Sequence, residues 1–201
     1  MSNTTKLLKM KTLEIKASLR GEVGKKDAKA VRKVDAVPGV LYGGKESVHF
    51  QVTNSELRHL VYTPEIFVVN LDIDGKMTKA ILKDIQFHPV KDTVLHVDFY
   101  EVNEKKPIVI EVPVKLEGLA EGVRAGGKLS LEMRKIRVKG LYTDIPEFLT
   151  INVENLGLGK TIQIGALDFD KLEIQNPKDS VVVAVKLTRA ARGAAAATGQ
   201  K

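Results

Sequence analysis

The chain has 201 residues, of which 32 are Lys or Arg and 25 Asp or Glu, giving a formal net charge of +7 with four histidines and no cysteine. Without cysteine it can build neither a disulfide nor a thiolate metal site. No apolar run approaches the ~18 residues of a membrane span, and the first residues lack the apolar core of a signal peptide, so a cytosolic product with no membrane partner is expected.

The charge is unevenly placed. Between Lys6 and Lys45 lie 11 basic and 4 acidic residues, so this segment accounts for the whole net charge and the rest of the chain sums to zero. Positive charge gathered at one end points to a polyanion met there, nucleic acid first and an acidic membrane surface second. A merely solvated basic surface is the competing reading.

In chain order, Met1 to Lys9 is a short polar stretch and Met10-Lys11-Thr12 reads as a second natural start, so 1–11 is expected to be a flexible extension. Leu13, Ile15, Ala17 and Leu19 then alternate with Glu14, Lys16, Ser18 and Arg20, the period of a half-buried strand. After Gly21 and Gly24, GKKDAKAVRK predicts a helix whose buried stripe is Ala28 and Val31, continued by Val34 or Asp35. Lys25, Lys29 and Arg32 fall at i, i+4 and i+7 of that helix, a row of cations about 10 Å long that matches phosphates along a strand or across a groove.

VPGVLYGGKE comes next. Gly39, Gly44 and Lys45 fit the phosphate-cradling pattern G-x-x-x-x-G-K, but Glu46 stands where the Mg²⁺-ligating hydroxyl belongs, and the flanks read as a helix before and a strand after, the reverse of what the loop needs. A phosphate-handling enzyme built on this loop is therefore disfavoured. Tyr42 ends a predicted strand Val40 to Tyr42. With Gly43 and Gly44 behind it, it either stacks on a partner or belongs to the core.

SVHFQV predicts a strand, and TNSELRHLVYTP a short helix capped by Thr53, Asn54 or Ser55 and stopped before Pro64. In IFVVNLDIDGKMTKAILKDIQFH two strand patterns meet at Asp74-Gly75, a hairpin signal because that turn needs positive φ. TVLHVDFYEV is a further strand. Many strands, short helices and tight turns predict a small twisted barrel or sheet.

Alternation places Gln86 and His88 opposite Ile85 and Phe87, and His96, Asp98 and Tyr100 opposite Leu95, Val97 and Phe99. Two strands would thus bury apolar residues while presenting hydrogen-bonding groups. Such groups can read base edges or sugar hydroxyls while lysines hold the backbone; a wet sheet face with a His-Asp pair is the alternative. His49, His59, His88 and His96 show no metal-ligand spacing, and no nucleophile elbow is present. Neither catalysis, a metal nor any cofactor is expected.

Past KKP at Lys105 to Pro107 the pattern is again strands: IVIEVPVKLEG, KLSLEMRKIRVKG, FLTINVENLG, KTIQIG and SVVVAVKL, with turns at Gly126-Gly127 and Asn176-Pro177. Residues 102–187 hold 13 basic and 12 acidic side chains, no electrostatic lure. TRAARGAAAATGQK is low-complexity and predicts a flexible tail. The organisation expected is mainly β: an extension over 1–11, a small barrel-like domain over 12–102, a second all-β domain over 103–187, and a disordered tail over 188–201.

GKKDAKAVRKVDAVPGVLYGGK, followed about forty residues later by IQFHPVKDTVLHVDFYEV, closely resembles the bacterial large-subunit ribosomal protein family that binds 5S rRNA, the general stress protein Ctc family. VPVKLEG, EGVRAGGKLS, DIPEFLTINVENL and SVVVAV look like the extra β domain of its longer members. The resemblance implies a barrel-like RNA-binding domain and a structural, non-catalytic role in the cytoplasmic ribosome. The chain would be monomeric when free, and its second domain would face neighbouring ribosomal proteins. By position, the family's RNA-contacting residues fall on Arg20, Lys25, Lys29 and Arg32, on Tyr42 and Lys45, and on Gln86, His88, His96 and Asp98. The chain departs from the family at Lys26, where Gly is common, at Phe87, where arginine is common, and at Ala30 and Lys33, where arginines are denser. Lys29 in place of arginine keeps the charge but loses bidentate geometry. A protein-binding adaptor acting through the neutral second domain is the alternative function.

Overall fold

A computed structural model describes residues 10–169 and 171–189. The predicted extension and tail therefore fall largely outside the described residues. At their inner margins Lys11 already belongs to a strand, and Thr188 donates its hydroxyl to the Gly126 carbonyl at 2.6 Å.

The chain divides into two compact units, one of which contains residues 10–108 together with Leu141–Glu147. Its centre is a closed six-stranded barrel built from β1 (Lys11–Leu19), β2 (Ala36–Tyr42), β3 (Val48–Thr53), β4 (Phe67–Ile73), β5 (Lys76–Phe87) and β6 (Val94–Glu101). They run in the order β1-β3-β2-β6-β5-β4, with β4 closing onto β1. The β1/β4 and β2/β6 pairs are parallel, and the remaining neighbours are antiparallel. Closure leaves no free edge, which removes the liability an exposed edge strand carries. Ile15, Phe50, Leu71, Val97 and Phe99 fill the interior, all fully buried, and the Phe50 and Phe99 rings meet at 5.8 Å between centroids.

Two helices complete this unit. α1 (Lys25–Lys33) packs along β2 with Val31 buried, and α2 (Asn54–Val61) buries Leu57 and Leu60. The hairpin at Asp74-Gly75 forms as predicted, with φ of 49° and 89°.

Several expectations are corrected. The helix stripe stops at Val31: Val34 is 74% exposed, because the helix ends there and Asp35 turns the chain in the left-handed region at φ 58°, a conformation Asp tolerates. β2 consequently starts at Ala36, earlier than the predicted Val40. Leu19 is exposed, although alternation put it with the core. It lies at the end of β1, where its N–H is taken by Asp74 Oδ2 at 2.9 Å. Phe87 is exposed too: it keeps its alternation with Gln86 and pairs with the buried Val94, but it is the last residue of β5. Register shifts at Leu82/Asp84 and Gln86/Phe87 interrupt the β5–β6 ladder.

The other unit holds residues 109–140 and, within the described range, 148–189. β7 (Ile108–Glu117), β9 (Lys135–Gly140), β10 (Leu149–Asn152) and β12 (Glu173–Ile174) form one sheet in the order β10-β7-β9-β12; β8 (Lys128–Leu131), β11 (Thr161–Gln163) and β13 (Val181–Lys186) form a second, β11-β13-β8. KLSLEMRKIRVKG is thus two strands in two sheets. The short helix α3 (Glu121–Arg124) was not anticipated. It precedes Gly127, where a Cβ would press on Val185 Cγ1 and the Gly122 carbonyl at 2.5 and 2.6 Å.

Candidate nucleic-acid interface

The phosphate-loop resemblance at Gly39 dissolves in the structure. Gly39 sits in β2 facing the barrel interior, and a Cβ there would lie 2.5 Å from Phe50 Cζ and 2.9 Å from Val97 Cγ2. It is glycine because two core side chains occupy that space. Gly43, at φ 97°, lies under the Tyr100 ring, whose Cε2 is 2.6 Å from where a Cβ would be.

The outer face of β3, β2, β6 and β5 carries the hydrogen-bonding side chains. Residues paired across adjacent strands point to the same face, so the register can be read as rows. Gln86 is opposite His96, and Asp84 opposite Asp98, on β5 and β6. Val40 bridges Asp98 to His49 through β2 and β3. Tyr42 is level with Tyr100, and their rings meet edge to face at 5.6 Å and 80°. At ~3.3 Å per residue, His96 and Tyr100 stand about 13 Å apart along β6.

His96 Nδ1 lies 2.7 Å from Asp98 Oδ1, both side chains being about a quarter exposed at 27%. The carboxylate approaches off the N–H axis, so Nδ1, itself shielded from water, has no well-aligned acceptor. Tyr42 is held as a neutral phenol above its ordinary range, first by burial and then by the negative charge of Asp98 and Asp84 and by Tyr100. It therefore remains a hydrogen-bond donor in mildly alkaline solution.

The basic helix is tied to this face at its C-terminal end. Arg32 donates from Nε and Nη2 to the Leu95 carbonyl at 3.0 and 2.8 Å, one residue before His96. At its other end Asp27 binds Arg20, with Nε to Oδ2 at 3.0 Å and a second contact from Nη2. The Arg20 side chain is 7% exposed and its charge is met by Asp27; it fixes the helix to the end of β1. Lys25 and Lys29 are exposed on α1, and Lys45 on the β2–β3 loop.

His88 does not lie in β5 but starts the turn that follows it. Its Nδ1 accepts from the Val90 and Lys91 N–H groups at 3.2 Å each, and its backbone pairs with Thr93 and Asp92. The ring organises a turn, which leaves Nε2 for any outside partner.

The structure therefore brings Arg32, Gln86, His88 and His96 to one end of β6 and Tyr42 to the other, with Asp98 between them. Tyr100 and Asp84 belong to the same face but are absent from the predicted set, although alternation with His96 and with Gln86 already marks them. Among the described residues no group of three or more His, Asp or Glu is placed to hold a metal ion. No helix among them is long and apolar enough to cross a membrane.

Comparison with known proteins matches both units. A family model described as the ribosomal L25p family covers residues 15–99, and one described as the C-terminal domain of ribosomal protein TL5 covers residues 107–189. The chain is 63% identical over 196 residues to the large ribosomal subunit protein bL25 of Bacteroides fragilis, covering 95% of this chain and 100% of that protein. It is 64% identical over 196 residues to bL25 of Bacteroides thetaiotaomicron, with the same coverage. Against bL25 of Porphyromonas gingivalis it is 60% identical over 188 residues, covering 92% of this chain and 98% of that protein. Matched across both its units and nearly end to end by these relatives, the chain belongs to the ribosomal L25p family, in a two-domain form.

Proposed function

We propose that this protein is a structural constituent of the large ribosomal subunit in the cytoplasm, without enzymatic activity, and that its barrel binds 5S rRNA through the outer face of β2, β5 and β6 together with α1. The observation that carries this reading is the double hydrogen bond from Arg32 to Leu95, which holds the row of helix cations beside Gln86 and His96. Lys25, Lys29 and Lys45 supply charge for phosphates. Gln86, His88, His96 and Asp98 supply donors and acceptors for base edges and ribose hydroxyls. The carboxylate of Asp98 repels phosphate, so its value is in accepting from amino groups of bases, as acidic side chains do at cytosine. Ordinary A-form RNA hides its base edges in a deep, narrow major groove, so this face requires a distorted helical region. Arg20 contributes indirectly, by setting α1.

The test is equilibrium binding of the full chain to 5S rRNA and to an unrelated RNA duplex over a range of salt. The expected result is tighter binding to 5S rRNA, with log affinity falling linearly with log salt. Equal affinity for the two RNAs would overturn the reading. The second domain, without net charge of note, is assigned a structural role toward neighbouring ribosomal components.

A further inference from the structure

Tyr100 stands where two stretches of the barrel's outer surface meet. On β6 it continues the outward alternation of His96 and Asp98. In register it has Tyr42 of β2 on one side and Ile81 of β5 on the other, and Ile81 is paired in turn with Val68 of β4. Ile81 and Val68 are buried, at 1% and 7% exposure, although they share the outward face of Tyr100. Tyr42 and Tyr100 themselves are half-buried. Tyr100 thus has an immobile apolar neighbour on one side and a hydrogen-bonding phenol on the other, and cross-strand neighbours of this kind brace one another.

Its ring makes two contacts on the Tyr42 side. It meets the Tyr42 ring edge to face, at 5.6 Å between centroids and 80° between planes, a favoured aromatic geometry. It also fills the space beside Gly43, its Cε2 and Cδ2 lying 2.6 and 2.9 Å from where a Cβ would be. The next residue of β6, Glu101, places its carboxylate over Gly44 in the same way. Two consecutive residues at the end of β6 therefore cover the two glycines that follow Tyr42. Such close approach requires glycine at Gly43, where φ is 97°. Tyr42 is in consequence held from two directions, through its ring and through the turn behind it.

We infer that Tyr100 is a positioning residue for RNA binding, which acts by fixing the Tyr42 phenol in the orientation that meets the RNA. This rests on the RNA-binding reading above and deepens it, by naming what orders a side chain of that face before the ligand arrives. A side chain already ordered spares the complex the entropy of immobilising it. Tyr100 needs to touch no nucleotide to have this effect.

The test measures equilibrium binding of 5S rRNA by the full chain and by Tyr100→Phe, Tyr100→Leu, Tyr42→Ala and the double variant Tyr42→Ala/Tyr100→Leu, with thermal unfolding followed on each. Tyr100→Leu frees the Tyr42 side chain and is expected to weaken binding roughly 2- to 13-fold, the cost of ordering one side chain on binding. The salt dependence should not change, because no phosphate contact is lost. Tyr100→Phe keeps the ring and should stay close to the parent. In the Tyr42→Ala background, Tyr100→Leu should cost nothing further, a coupling that a merely structural contribution to the barrel would not produce. If Tyr100→Leu lowers the unfolding temperature, the double variant decides, since destabilisation acts in both backgrounds. Parent-like binding by Tyr100→Leu, or an equal loss with and without Tyr42, overturns the positioning role while leaving RNA binding intact. A loss in Tyr100→Phe as large as in Tyr100→Leu would give the Tyr100 hydroxyl a contact of its own and likewise overturns it. Absence of 5S rRNA binding by the unaltered chain overturns both proposals.

Discussion

Arg32 on α1 and Leu95 on β6 are joined by two hydrogen bonds to one carbonyl oxygen, at 3.0 and 2.8 Å. Sixty-three positions apart in the chain, they bring a cationic helix and a strand of hydrogen-bonding side chains to the same edge. The remaining cations of the row, Lys25 and Lys29, are exposed on the helix surface.

That difference separates the cations experimentally. Arg32→Ala is expected to lower stability by about 1 kcal/mol, since it removes a charged donor from a backbone carbonyl, and also to weaken RNA binding. Lys25→Ala and Lys29→Ala should leave chemical denaturation unchanged and each reduce the slope of log affinity against log salt by roughly 0.7 to 0.9. Binding isotherms at several salt concentrations, beside urea titrations, make the comparison.

The His96–Asp98 pair should act on selectivity. His96→Ala and Asp98→Ala are each expected to weaken binding to 5S rRNA by about 1 to 3 kcal/mol, the range of single base-reading contacts, with little change against an unrelated duplex. Competition binding with the two RNAs measures the ratio. A uniform loss on both RNAs would show that the pair only shapes the surface.

Gly39 answers for the barrel rather than for a ligand. Gly39→Ala would push a methyl into Phe50 and Val97, and overpacking of this sort costs about 1 to 3 kcal/mol. Thermal unfolding should show the loss, and adding nucleoside triphosphate should stabilise neither the parent nor the variant.

Tyr42 gives a pH signature. Burial raises its ionisation above the ordinary 10.0, and the charges of Asp98 and Asp84 add to the effect. A folded-state value above the unfolded one means the folded state holds the proton more tightly. The associated stability is fully present below about pH 10 and is lost as pH rises through the raised value. In ultraviolet titration Tyr42 should ionise late, Asp98→Asn should bring it part of the way back, and Tyr42→Phe should flatten the alkaline loss of stability.

Much of this protein was already written in local patterns. Apolar alternation in β1, β3, β4 and β6, the Asp-Gly hairpin, the two-domain division of composition and the spacing of Lys25, Lys29 and Arg32 depend on neighbours a few residues apart, and a single chain displays them directly. Only folding showed the diversion of Arg20 to Asp27 and the use of His88 in a turn, contacts two to seven residues apart that strand alternation does not display. The role of Gly39 under Phe50 and the join of Arg32 to Leu95 are set by contacts between segments distant in the chain. The bulge between Leu82 and Asp84 belongs with these: one extra residue on β5 reverses which face the following side chains take, and no period-2 pattern can announce it. The family's motifs therefore indicated which family the chain belongs to, while closure of the sheet determined which side chains share its outer face.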